Sequence, residues 1–212
     1  MAATQELNEP IDGRTARAVR TRDALVDATI ALVEEGDLRP TAPRIAERAG
    51  VSVRSVFQHF DDLETLFTAV GARMVERLAE LMRPIDPSAP LAHRAGAFVR
   101  QRCRVNEAGS PINRAALVHL PTSEVIGRQF RAGHSFVAAH VAEVFAPELA
   151  ESGAHREGLL ATLITACSWS TWNVMRALEE ASVPEASAKV VAMVELALAG
   201  AGFPVELVVE RG

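Results

Sequence analysis

An all-α fold is the class this sequence predicts, on three observations. Val, Ile and Thr are scattered along the chain, so no stretch shows the period-two alternation of a half-buried strand. Tyrosine is absent, and no Asn-Gly or Asp-Gly turn joins two alternating runs as a hairpin needs. Apolar residues instead recur at i, i+3 and i+4, as in Leu25, Ala28, Thr29, Leu32 and Val33, the spacing of a helix that buries one face. With 212 residues, 49% hydrophobic and 23% charged, the chain has the balance of a globular protein and can bury a sizeable core. That excludes a disordered chain, and two cysteines exclude a disulfide framework.

The elements follow in order. The helix through Leu25–Val33 ends where Gly36 offers a left-handed cap. Thr41 is placed to cap a second helix, with Pro43 in its first turn and Ile45, Ala46 and Ala49 facing inward. Gly50 breaks it, and Ser52 caps a third, short helix with Val56 and Phe57 expected on its buried side and Phe60 closing it. Asp62 opens a helix to about Met82, roughly 30 Å long and able to connect two units. Pro84, Pro87 and Pro90 mark a non-helical joint. Further helices are expected over Leu91–Asn106, Asn113–Leu120, Ser123–Phe145, His155–Glu180 and Pro184–Ala199. The expected organisation is a flexible arm over 1–19, a compact three-helix unit over 20–66 and a longer helical domain over 67–212.

Charge is unevenly spread. The net charge of −5 argues against nucleic acid at face value. Yet Arg14, Arg17, Arg20 and Arg22 form one basic cluster, and Arg39, Arg44, Arg48 and Arg54 a second, opposed by Glu47 alone. Residues 61–212 hold fourteen basic and eighteen acidic residues, so both basic clusters sit in the first sixty residues of an acidic chain. The two short helices at 41–49 and 52–60 are too short to stand alone and need the first helix to pack against. The outer face of the third helix is then Ser52, Val53, Arg54, Ser55, Gln58 and His59, with side chains suited to phosphate oxygens and base edges. That is the logic of a helix-turn-helix whose second helix enters the major groove. The first basic cluster reads either as an arm toward the minor groove or as a solvated tail.

The segment Thr41–Phe60 resembles the DNA-binding segment of the TetR family of bacterial transcriptional regulators. Ile45-Ala46, Ala49-Gly50-Val51-Ser52, Phe57 and Phe60 fall at the positions of the family pattern. The resemblance implies Thr41, Arg44, Ser52, Val53, Arg54, Ser55, Phe57, Gln58 and His59 as DNA-contacting residues. Two positions depart from it: Phe57 lacks the hydroxyl of the family's usual Tyr, and Leu63 stands where a phosphate-binding Lys is common. The specific likeness covers about residues 20–70. It implies a dimeric repressor released from a pseudo-palindromic double-stranded DNA operator by a small, largely apolar effector.

The C-terminal two-thirds are apolar on every side of two helices, which demands cover on every side. A partner chain is the economical cover, and Leu163, Trp172, Val190, Val194 and Leu198 are the expected interface of a homodimer. Phe98, Arg102, His119, Phe130, His134 and Val137 are candidates to line an effector pocket, with plain core packing as the competing reading. Arg102 would meet either an anionic ligand or an internal Glu. Cys103 and Cys167 read as buried thiols or as a redox pair. The uncharged run Gly158–Met175 contains six Thr, Ser or Asn residues and suits a buried helix better than a membrane span. Without a signal sequence in Met1–Pro10, the expected location is cytoplasmic.

No His-Glu-x-x-His, Gly-x-Ser-x-Gly, Gly-rich phosphate loop or Cys-x-x-Cys is present, and the six histidines include no i, i+4 pair. The expectation is therefore no enzyme, no cofactor and no metal. A regulator controlled by a protein partner, and an enzyme with an unrecognised site, are the alternatives. A cavity near 300 Å³ would favour small-molecule control over a protein partner.

Overall fold

The computed structural model describes residues 13–209; residues 1–12, most of the expected arm, lie outside them. Every regular element among the described residues is helical, so the fold is all-α. The chain divides into two compact units between Arg73 and Met74, a few residues beyond the expected 66/67 boundary and inside one helix.

The N-terminal unit holds α1 (Gly13–Glu34), α2 (Ala42–Ala49), α3 (Val53–His59) and the start of α4 (Leu63–Ala79). Residues 13–19, expected in the arm, form the first turns of α1. Leu25, Ile30, Ile45, Val56, Phe60 and Leu66 are buried to within 2% of completely. Each contributes about 1.5–3 kcal/mol by leaving water, which lets two helices too short to persist alone hold together. The punctuation is the expected one: Gly36 and Gly50 take positive φ, and the Ser52 hydroxyl accepts the Ser55 N–H at 3.1 Å. Asp62 likewise accepts the Thr65 N–H at 2.7 Å, which opens α4. Thr41 has the backbone of an N-cap, but its hydroxyl makes no capping bond. Phe57, expected inside, is 51% exposed, because α3 turns only Val56 inward and leaves Phe60 to complete the seal.

The C-terminal unit comprises the end of α4, α5 (Leu91–His119), α6 (Glu124–Val144), α7 (Ala146–Glu151), α8 (Arg156–Ala166), α9 (Trp169–Asn173) and α10 (Val183–Gly200). A 3-10 turn at Gly153–His155 precedes α8, and a π-helical turn at Val174–Leu178 follows α9. Three expectations change. The expected break after Asn106 is absent: α5 runs through Pro111, whose missing N–H costs one backbone bond. Neighbouring side chains hold that stretch, with the Ser110 hydroxyl donating to the Asn106 carbonyl at 2.8 Å and accepting from Trp169 Nε1 at 3.0 Å. The expected single helix over His155–Glu180 is broken at Cys167–Ser168, where Ser168 caps α9 and the freed Cys167 carbonyl accepts from Asn106 Nδ2 at 3.2 Å. Finally, α7 was not anticipated.

A further change concerns the expected dimer residues. Leu163, Trp172, Val190, Val194 and Leu198 are all at most 1% exposed within the single chain. They belong to its core with Phe98, Phe145 and Leu159, so they are not available to a partner. The chain covers its own apolar helices because α10 packs against both α5 and α8, and α8 packs in turn against α6. Trp172 donates its Nε1–H to Glu107 at 2.8 Å, and Glu107 is also held by Arg176 at 2.9 and 3.0 Å. Arg94, buried on α5, pairs with buried Glu148 of α7 and donates to the Val144 carbonyl. After Gly202 the tail has no regular secondary structure, and the Val208 N–H donates to the Ala92 carbonyl at 3.1 Å.

Candidate nucleic-acid interface

The exposed face of α3 is built by its neighbours. Val56 and Phe60 anchor the helix, and the Arg22 guanidinium lies 4.2 Å from the centre of the Phe60 ring. The same guanidinium donates to the His59 carbonyl at 3.0 Å, satisfying a carbonyl at the helix C-terminus where a cation is favoured. Arg22 therefore positions α3 rather than joining a mobile arm. Nothing in its sequence neighbourhood signals that role, since its partner lies 37 residues away.

With α3 held in this way, Ser52, Val53, Arg54, Phe57 and Gln58 are exposed, and Ser55 and His59 half-buried. Among the described residues no group engages the Arg54 or Gln58 side chains, and both are exposed. Thr41 and Arg44 are exposed on α2 and its cap. Arg44, however, is paired with Asp37 at 2.6 Å. Arg48 makes a two-pronged bond to Glu35 at 2.8 and 2.5 Å, which holds the Glu35 carboxyl below the usual carboxylate range. Of the second basic cluster, then, two arginines are matched by acids just upstream, and among the described residues Arg39 and Arg54 have no ion-pair partner. The stiff, exposed, partly cationic face on a short second helix has the form that reads the major groove.

Residues 25–70 match the family model described as bacterial regulatory proteins, tetR family. The N-terminal unit belongs to the TetR family. The match spans α1 from Leu25 to the middle of α4, so it includes Val56 and Phe60, which anchor α3, but not Arg22. A TetR transcription regulator from Haloarcula marismortui is similar in fold, with a TM-score of 0.66 at 20% identity over 85% of this chain and 98% of that one. A transcriptional regulator from Rhodococcus sp. Rha1 gives 0.61 at 17% identity over 86% and 96%. No curated protein matches the chain. The TetR-type unit thus sits at the head of an all-helical chain whose fold as a whole has solved counterparts.

The residues expected to line an effector pocket do not gather. Phe98 is fully buried, edge-on to Phe145 and His140 at 5.6 and 5.0 Å. Val137 is buried in the same core, and His119 is half-buried at the far end of α5. Phe130 meets Trp169 edge-on at 5.8 Å, while His134 is exposed. The core-facing line of α6 is Val137, Val141 and Val144, and His134 lies off it. Arg102 is 4% exposed and bonds Asn106 at 2.9 Å, not the expected internal Glu.

A cavity of about 310 Å³ lies instead between the 82–87 segment and α6, lined by Met82, Ile85, Pro87, Phe136, His140 and Val144 among others. Sequence reasoning missed His140, whose ring is only half-buried and makes no i, i+4 pattern with another histidine. Burial, then the charge of Arg102, hold its imidazole below the usual histidine range. Burial also pushes the Cys103 and Cys167 thiols up to about 11 and about 12, the inert end of thiol behaviour. Among the described residues no group of three or more His, Cys, Asp or Glu could hold a metal, and no helix is long and apolar enough to cross a membrane.

Proposed function

We propose that the chain is a homodimeric, cytoplasmic transcriptional repressor that holds a pseudo-palindromic operator and releases it when a small, largely apolar molecule binds the C-terminal unit. The observation that carries the DNA reading is the face of α3, where Arg54 and Gln58 stand exposed and unengaged on a helix pinned by Val56, Phe60 and Arg22. The cavity of about 310 Å³ supports small-molecule control, since a regulator governed by a protein partner needs none.

A dimer face is supported by the outer sides of α8 and α10, which pack against each other. Gly158, Ala161, Thr162 and Thr165 are exposed along α8, and Ala188, Ala192, Leu196 and Ala199 along α10. Small residues at helical spacing let two helices approach closely, and Leu196, 73% exposed, is the large side chain such a contact would bury. Two α3 helices in a dimer would meet half-sites about one helical turn apart. The ligand must bind the DNA-free geometry better than the bound one, because equal affinity shifts nothing. The change would travel along α4, unbroken from Leu63 to Ala79.

The test is selection of bound duplexes from a random pool, followed by titration of the enriched site with Arg54→Ala and Gln58→Ala. A base-reading Arg54 should cost about 1–3 kcal/mol and relax preference at one base pair in each half-site. A pool that yields no two-fold sequence, with unchanged binding by both variants, would overturn the reading.

A further inference from the structure

We propose that the C-terminal unit takes a small amphipathic monoanion, its carboxylate paired with Arg102 and its apolar part seated in the cavity between the 82–87 segment and α6. This rests on the reading of that unit as ligand-binding and adds the chemical class of the ligand.

The starting point is a charge without a counter-charge. Arg102 is 4% exposed, and among the described residues no carboxylate lies within ion-pair distance of it. Its one hydrogen bond goes to the neutral Asn106 amide, and its buried Nε–H has no acceptor. Arg94 is balanced by Glu148, Arg176 by Glu107 and Arg73 by Asp23 and Asp27, while Arg100, which is only half-buried, shares with Arg102 a buried nitrogen without a partner. A buried guanidinium with no anion is costly to keep, and proteins seldom retain one without a partner. Cys103 and Cys167 are the nearest groups that could carry negative charge, and their raised pKa values keep both thiols neutral.

The path from Arg102 to the cavity runs through His140. Phe98 and Arg102 are one turn apart on α5, and the Phe98 ring meets His140 edge-on at 5.0 Å. The other side of His140 lines the cavity, where Phe136 lies 6.1 Å from it. His140 Nδ1 is buried without a hydrogen-bond partner, the ring contacts to Phe98 and Phe136 hold the side chain at the cavity wall, and the charge of Arg102 reaches its imidazole. A rotation of that ring would open the cavity toward Arg102, and the freed Nδ1 would add a second polar contact.

The lining sets the rest of the ligand. Met82, Pro84, Ile85, Pro87, Phe136 and Val144 supply an apolar wall, and the volume is at the small end for a specific ligand. Arg83 Nη1 donates to the Glu80 and Met82 carbonyls, and the Glu143 carboxylate stands exposed at the lining, beside Arg83. One buried fork suits one carboxylate.

The experiment is calorimetric titration and thermal shift of the full chain, without DNA, against hexanoate, decanoate and phenylacetate beside the matching alcohols and amines. The carboxylates should bind about tenfold or more tighter than their neutral and cationic counterparts. Arg102→Met should abolish that preference while leaving the ligand-free melting temperature unchanged or raised, since it removes an unpaired buried charge. Arg102→Lys should keep the preference with weaker binding, because it keeps the charge without the fork. Should Arg102→Met fail to fold, the charge series on the unmodified chain still decides. Equal binding of alcohols or amines, carboxylate binding that survives Arg102→Met, or no binding of any carboxylate would each overturn the proposal. DNA affinity, measured separately on the selected site, distinguishes this failure from failure of the repressor reading.

Discussion

Replacing Gly96 with alanine should unseat the C-terminal tail. Gly96 lies inside α5, where alanine is ordinarily the better residue by about 1 kcal/mol. Here a Cβ would stand 2.2 Å from the Val208 carbonyl oxygen and 2.8 Å from its carbon, against backbone that cannot swing away as a side-chain tip would. Detaching the tail loses the Val208–Ala92 bond, worth about 1 kcal/mol, and the Leu207 N–H bond to the Glu195 carboxylate at 2.8 Å, worth about 2 kcal/mol. Leu207, 8% exposed, would surrender about 2 kcal/mol of burial. Set against the helix gain, Gly96→Ala should destabilise the full chain by roughly 4 kcal/mol. In a chain ending at Gly202 the obstacle is gone, and the same substitution should stabilise by about 1 kcal/mol. Urea denaturation followed by circular dichroism measures all four forms as a double-mutant cycle. The same sign of effect in both backgrounds would refute the reasoning.

Three further outcomes are expected. Phe57→Tyr, at a half-exposed position, should leave the melting temperature unchanged and tighten operator binding by about 1 kcal/mol, if its new hydroxyl finds a phosphate; fluorescence-anisotropy titration with labelled duplex reads it. Leu196→Glu should give a folded monomer in light scattering, whereas Val194→Glu, a fully buried position, should give unfolded or aggregated protein. The Arg176 hydrogen bonds hold the Glu107 carboxyl below its unfolded value, so the pair's stabilisation is complete above about pH 4.3 and is lost as pH falls through the lowered pKa. Glu107→Gln should flatten the acid limb of the melting-temperature profile, and an unaltered limb would remove the pair from it.

The N-terminal unit was legible because its signals are local. Gly36, Gly50 and Ser52 act within a turn of where they stand, and the sequence places them correctly. Phe57 was misread because a seven-residue helix has no stripe long enough to tell an inward aromatic from an outward one. In the C-terminal unit the decisive contacts are distant. Pro111 reads as a break, yet Trp169 and Ser110 hold α5 through it from 59 residues apart. Leu163, Val190 and Val194 were read as facing a partner because periodicity reports that a helix must be covered, not what covers it. Arg102 was singled out in the sequence, but only the structure reveals that no acid accompanies it.

Trp169 and Trp172 are the chain's two tryptophans; both lie on α9, and tyrosine is absent. Ultraviolet emission therefore originates in the C-terminal unit alone, while the helix signal in circular dichroism sums both units. The two probes viewed during one denaturation separate what a single melting curve would merge. Coincident transitions would mean that the units unfold as one cooperative body, and displaced ones that the DNA-reading unit has a stability of its own. Phenylalanine is then the only aromatic residue type in the N-terminal unit, so an indole placed there, for instance by Phe67→Trp, would give that unit its own optical reporter.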